Sequence, residues 1–172
     1  MKSKTEILHD LTDDLPLRFI DDPDGRRYLE RYYLGTWFGW RFYVHQFVGP
    51  DPDRGLHDHP WTLAFSLRLA GYYYELTRAG MRKQRWLGIL TGDTFHRVAT
   101  LATPSVWTLF AHTVGDVKPW GFWRAIDGRF AGGMYPEGSA IFEPFQYKSE
   151  GGKPVEWWHT ALSRRQRREF AT

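Results

Sequence analysis

Residues 55–71 read GLHDHPWTLAFSLRLAG: two histidines two positions apart, a proline behind the second, then a long apolar run closed by glycine. The histidine pair alone is a weak signal. With 7 His in 172 residues, an H-x-H arises by chance roughly 0.3 times in such a chain. What surrounds it says more. The strand parity that sets His57 and His59 inward also sets Trp61, Leu63, Phe65, Leu67 and Leu69 inward, while Asp58, Thr62, Ala64, Ser66 and Arg68 point away. The first row is apolar beyond its histidines, and the second is mostly small or polar. Two imidazoles at the head of an inward apolar row must be paired or ligating, because an unpartnered buried polar group costs about 1–3 kcal/mol.

A metal needs at least a third protein ligand. Residues 88–96, GILTGDTFH, present His96 at the start of another strand, behind a Gly-Asp turn. A Gly, an H-x-H and a long strand ending in Gly71, followed about twenty residues later by Gly-Asp-x-x-His, is specific where each part is not.

Together the two stretches resemble the two cupin motifs. Residues 55–71 are similar to the first, which runs Gly, His-x-His, a Glu three or four residues on, then a Gly closing the strand. Residues 88–96 are similar to the second, in which a Pro-Gly-Asp turn precedes the last histidine; here Thr91 stands in place of the proline. The likeness spans roughly 55–112, about a third of the chain. It implies an all-β double-stranded β-helix with peripheral helices, a small barrel holding one divalent metal in its mouth. It assigns ligand roles to His57, His59 and His96. The family's glutamate falls at Leu63 or Ala64, neither of which can ligate. Either the site has three histidines, as in thiol-dioxygenase-like cupins, or another residue supplies a fourth ligand. Glu75 is nearest in sequence, but a tight turn at Ala70-Gly71 sets it opposite Ser66, roughly 20 Å along the strand from His59.

Composition narrows the chemistry. The chain has no Cys, which excludes disulfides, thiolate nucleophiles and Cys-held zinc or iron–sulfur centres. The charged N-terminus, MKSKTEILHDLTDDL, lacks the apolar core of a secretory signal, and no run of 18 apolar residues spans a membrane. The expectation is a soluble, cytoplasmic protein. The net charge of +3 comes entirely from Arg164–Glu169, with four arginines and one glutamate. That tail reads as a solvated helix end favourable to the helix dipole, with binding to nucleic acid as the weaker reading.

The chain reads as one cupin domain over 1–172. Residues 1–35 form a helical extension, with helices over 4–15 and Asp22–Tyr33. The barrel covers 36–147, and 154–170 form a basic helix. Strands are expected over 36–49, where Phe38, Trp40, Phe42 and Val44 alternate with Arg41, Tyr43 and His45, and then over 61–71, 72–77, 84–90, 96–101, 106–114, 119–126 and 139–147.

Further candidates follow from this placement. His112 ends the strand V-W-T-L-F-A-H and reaches the same rim as His96. It reads as an outer-sphere acid/base or an occasional ligand, or else as a hydrogen-bonded core histidine. Arg41, Tyr43 and His45 share a strand face that either lines the pocket or meets solvent; in a pocket, with Trp61, they bind substrate, the Arg suiting a carboxylate or phosphate. Asp58 orients a neighbour, and His9 and His159 lie on the surface. Neutral imidazoles suit Fe(II), Zn(II), Cu(II), Ni(II) and, less well, Mn(II), and Fe(II) is the metal expected here. The leading reading is an Fe(II) oxygenase acting on a small anionic or aromatic molecule. Its competitors are a redox-neutral isomerase, lyase or hydrolase, and a non-catalytic small-ligand binder. The H-x-D/E pattern of a 2-oxoglutarate oxygenase is not evident. A homodimer is as open as a monomer.

Overall fold

The computed structural model describes residues 1–52, 54–125, 140–146 and 156–171. In chain order its elements begin with helix α1 (Lys4–Thr12) and strands β1 (Leu17–Asp21), β2 (Arg27–Trp37), β3 (Trp40–Phe47) and β4 (Leu56–His57). Strands β5 (Leu63–Ala70), β6 (Tyr73–Thr77), β7 (Gly80–Lys83), β8 (Leu87–Thr91) and β9 (His96–Leu101) follow. Then come β10 (Val106–Thr113), β11 (Gly121–Ala125), β12 (Ala140–Pro144), a 3-10 turn (Trp157–His159) and helix α2 (Arg164–Glu169). The expected C-terminal helix over 154–170 thus resolves into that turn and a shorter helix; residues 154 and 155 lie outside the described residues.

The strands form two six-stranded antiparallel sheets, in the orders β1-β2-β3-β10-β5-β8 and β12-β11-β4-β9-β6-β7. Consecutive strands β5 and β6 lie in different sheets. Gly71 (φ +67°) carries the chain between them, and a Cβ there would sit 2.4 Å from the Ser105 carbonyl. Between the sheets lie Leu29, Phe47, Tyr73, Val98 and Val106, which pack as one buried cluster. A second cluster forms on the outer face of the first sheet, where Leu8 and Leu15, at and just after α1, cover Val44, Tyr32, Leu17 and the fully buried Trp107.

Three expectations need correction. Residues 27–33, expected inside a helix, belong to β2, which pairs with β1 and β3. The barrel therefore begins well before residue 36. The Tyr-Leu-x-x-Tyr-Tyr stripe looks helical because this strand is covered on both sides: Leu29 faces the barrel interior and Tyr32 packs under α1. The single strand expected over 36–49 is a hairpin, turned at Phe38 (φ +51°) and Gly39 (φ +77°), the two positive-φ positions of a two-residue loop. Finally, the inward row inferred for β5 is reversed. Ala64 and Ser66 pair with His112 and Phe110 and share their interior face, while Phe65 stacks on Trp40 and Leu69 joins the cluster under α1. Parity does not carry from His59 to Leu63 because residues 58–62 are not strand.

Candidate metal centre

His57 lies at the end of β4 and pairs with His96 at the start of β9. His59 sits in the loop just beyond, locked to the Gly-Asp turn by its own N–H, which donates to the Gly92 carbonyl at 3.2 Å. A Cβ on Gly92 would come within 2.7 Å of the Trp61 carbonyl. Glycine is what lets the two motifs close on each other. Asp58, almost wholly buried, clamps the loop from the other side, accepting from the Gly121 N–H at 2.7 Å and from Lys118 Nζ at 2.6 Å. Pointing away from its histidine neighbours, it holds the H-x-H segment against the chain entering β11.

The three imidazoles converge. Their nitrogen atoms lie within 4.8 Å of one another, and the Nε2 atoms of His59 and His96 are 2.9 Å apart, so these three residues would hold a single divalent ion. Burial, the leading cause, holds His57 and His59 well below the usual histidine range, and neighbouring cations push the same way. Both rings are therefore neutral at pH 7, the form that ligates. His96 Nδ1–H donates to Glu75 Oε2 at 3.1 Å, which leaves the lone pair on Nε2. Burial pushes the Glu75 carboxyl up, but His96 and Arg82 outweigh it and hold it below the usual range. The donor set, the neutral rings and the carboxylate behind His96 all fit a divalent metal.

Glu75 lies much closer to the triad than a turn back onto β5 would set it. Because β6 pairs with β9 rather than folding back on β5, Glu75 pairs with Val98 and its side chain reaches His96 diagonally. It is an orienting group; among the described residues the cluster of possible ligands contains the three histidines alone. At the position of the missing glutamate, Ala64 is fully buried against Tyr43, Leu90 and Phe110.

His57, His59, His96, His112, Arg41, Tyr43, His45 and Trp61 all line one cavity of about 980 Å3 between the sheets. The Arg41–Tyr43–His45 face therefore looks into the barrel. Trp61 stacks on His59 at 4.0 Å and on His112 at 5.0 Å, and Tyr43 stacks on His112 at 5.8 Å. His112 Nδ1–H donates to the Thr113 carbonyl at 2.8 Å, so its Nε2 is the basic nitrogen. Burial and Arg31 keep His45 neutral; its Nε2 accepts from Arg31 Nε at 3.1 Å. Arg31 lies in the segment expected to be helix, where nothing in the sequence marks it as facing a cavity. His159 is exposed as expected, but His9 is half-buried edge-on against Trp107.

No family model matches the chain, and no curated protein matches it significantly. Solved structures do resemble it. A cupin 2 conserved barrel domain protein from Rhodopseudomonas palustris aligns with 66% of this chain and 80% of its own, at 10% identity and a TM-score of 0.50. A cupin-2 domain protein from Rhodospirillum rubrum covers 60% and 72% at 15% identity and 0.49. The DMSP lyase DddQ from Ruegeria pomeroyi covers 71% and 77% at 13% identity and 0.47. The chain has the cupin fold, and the two stretches that resemble cupin motifs meet at its three-histidine cluster.

Proposed function

We propose that this chain is a metal-dependent cupin enzyme acting on a small anionic or aromatic molecule bound in the barrel cavity, and foremost an Fe(II) oxygenase. The observation that carries the metal reading is the convergence of three histidines, one of them backed by Glu75, on the wall of a deep aromatic cavity. Three neutral ligands leave a bound divalent ion its full charge and open positions, so that it can bind an anion and O2 together or polarise a carbonyl or water. The protein's own residues supply the rest. Glu75 fixes the His96 tautomer, Trp61 and Tyr43 enclose the site with flat apolar faces, and Arg41 offers a charged donor to the substrate.

A redox-neutral isomerase, lyase or hydrolase is the second reading, favoured by one observation. The Nδ1–H bond to Thr113 gives His112 a basic Nε2 within the same cavity, suited to moving a proton to or from substrate. Metal analysis of the purified protein, followed by O2-consumption assays on iron-loaded and zinc-loaded samples, separates the two. An iron-loaded protein that consumes O2 with a small anionic or aromatic acid supports the oxygenase; stoichiometric zinc and an inert iron form sink it. A His57→Ala/His59→Ala double variant that binds metal normally would refute the site.

A further inference from the structure

Three strands of the first sheet set cationic and basic side chains directly opposite one another. Arg18 of β1 pairs with Arg31 of β2, and Arg31 pairs with His45 of β3. All three line the cavity. Like charges directly opposite on adjacent strands destabilise a sheet, and a natural remedy is a carboxylate between them. Among the described residues, none forms an ion pair with Arg18, Arg31 or Arg41. Burial is the main influence on Arg31 and pulls its guanidinium pKa down; Arg18 pulls the same way, and only the hydroxyls of Tyr43 and Tyr28 oppose them. A guanidinium stays protonated regardless, so the wall carries charge that no carboxylate among the described residues pairs with.

The donors are also held in place. Arg31 spends its Nε on His45, which anchors the head group and leaves its two terminal nitrogens for another acceptor. Arg41, further along β3, lies with its guanidinium over Trp158 at 4.5 Å, and its buried Nε has no hydrogen-bond partner. The positive charge of Arg31 reaches the triad too, since it is among the cations that depress the His59 pKa.

We infer that Arg18 and Arg31 form an anion subsite on the β1–β3 wall of the cavity, with Arg41 further along the same wall, built for a doubly charged oxyanion such as a phosphate, phosphonate or sulfate head group. The two guanidiniums of Arg18 and Arg31 bracket the oxygens, and fork-shaped donors suit such groups bidentately. The substrate then lies across the barrel, its oxyanion on the first sheet and its reacting end toward the triad on the second. That last step rests on the metal-enzyme reading; the anion subsite does not.

The test uses the full chain, stripped with chelator and separately loaded with zinc, and inorganic phosphate as the probe at matched ionic strength. Phosphate is expected to raise the Tm of the metal-free protein saturably, and acetate is expected to raise it far less. Arg31→Gln removes the charge while keeping an N–H donor for His45. It is expected to weaken phosphate binding at least tenfold and to leave the Tm without phosphate equal to or above wild type. Arg18→Gln serves as an independent second variant with the same expected loss. The subsite is overturned if both variants keep the phosphate shift, or if the shift appears only when metal is loaded, which would place the anion on the ion. An equal response to acetate would overturn the doubly charged assignment. Metal content measured on the same samples reports on the triad separately: a triad that holds no metal, with the phosphate shift intact, defeats the enzyme reading and leaves the subsite standing.

Discussion

Glu75 shows how much a single side chain can decide at this site. The position where a cupin glutamate would ligate is taken by Leu63 and Ala64, and the carboxylate near the triad instead stands behind His96, shared with Arg82 at 2.8 Å. A carboxylate in that position orients the ring and raises its basicity, and losing it costs 10–100-fold in metal affinity as a rule. Glu75→Gln is therefore expected to weaken zinc binding by about 10–100-fold in a chelator-competition titration, with the far-UV circular dichroism spectrum unchanged. Wild-type affinity in that variant would mean that His96 needs no orienting partner. Histidines 57, 59 and 96 stand out in the sequence because their spacing is local: H-x-H and Gly-Asp-x-x-His each place their histidines within a few residues of a turn. Glu75 was not legible, since its place depends on which strand β6 joins, and no local pattern encodes that.

At the scale of elements, most strands after residue 61 could be read from alternation and turn residues, but the short β7, which falls between two expected strands, and the first two strands could not. A strand with one face toward solvent alternates visibly, whereas β2 is packed on both faces and presents apolar residues in adjacent pairs, as a helix does. The β2–β3 hairpin was hidden for a different reason. Its turn carries Phe38 at positive φ, where Asn or Gly is the usual signal. Phe38 is fully exposed and packs against nothing that would offset the strain. Phe38→Asn is expected to raise stability by about 1 kcal/mol in urea denaturation; a loss of stability would show that the aromatic ring has a partner. The loop carrying the H-x-H depends on its clamp in the opposite sense. Removing the buried Asp58 carboxylate strands the Gly121 N–H, while Lys118 keeps Asp93 at 2.8 Å, and Asp58→Ala is expected to cost about 1–3 kcal/mol. The same denaturation experiment reads that loss, and a change under 1 kcal/mol would remove Asp58 from the account of how the loop is held.

Across the whole molecule, the two ends of the chain are sewn together over the outer face of the first sheet. The tail expected to be solvated is engaged. Arg168 and Arg165 pair with Asp13, and Arg167 donates to the Leu17 carbonyl at 3.2 Å. Arg164 donates to Glu30 at 2.8 Å, to Tyr32 and to His9 Nδ1. The basic cluster that gives the sequence its net charge thus closes the layer that covers Trp107. His9 is the weak point of this closure. It accepts a hydrogen bond from a guanidinium, so it must be neutral, and burial first, then Arg164, hold its pKa below the ordinary value; Glu30, Asp10 and Asp13 oppose them without prevailing. The folded state disfavours the proton that the unfolded chain takes up near pH 6.5, so between the two pKa values the unfolded state binds more protons and stability rises with pH. Stability is accordingly whole above pH 6.5 and declines as the pH falls below it toward the folded pKa, by repulsion between an imidazolium and Arg164. His9→Gln keeps an acceptor for Arg164 but cannot titrate, so the drop in Tm between pH 7.5 and pH 5.5 is expected to be smaller in the variant than in the wild type. Differential scanning calorimetry of both proteins at the two pH values measures that difference, and equal drops would assign the acid sensitivity to the buried histidines of the cavity rather than to the clamp between the termini.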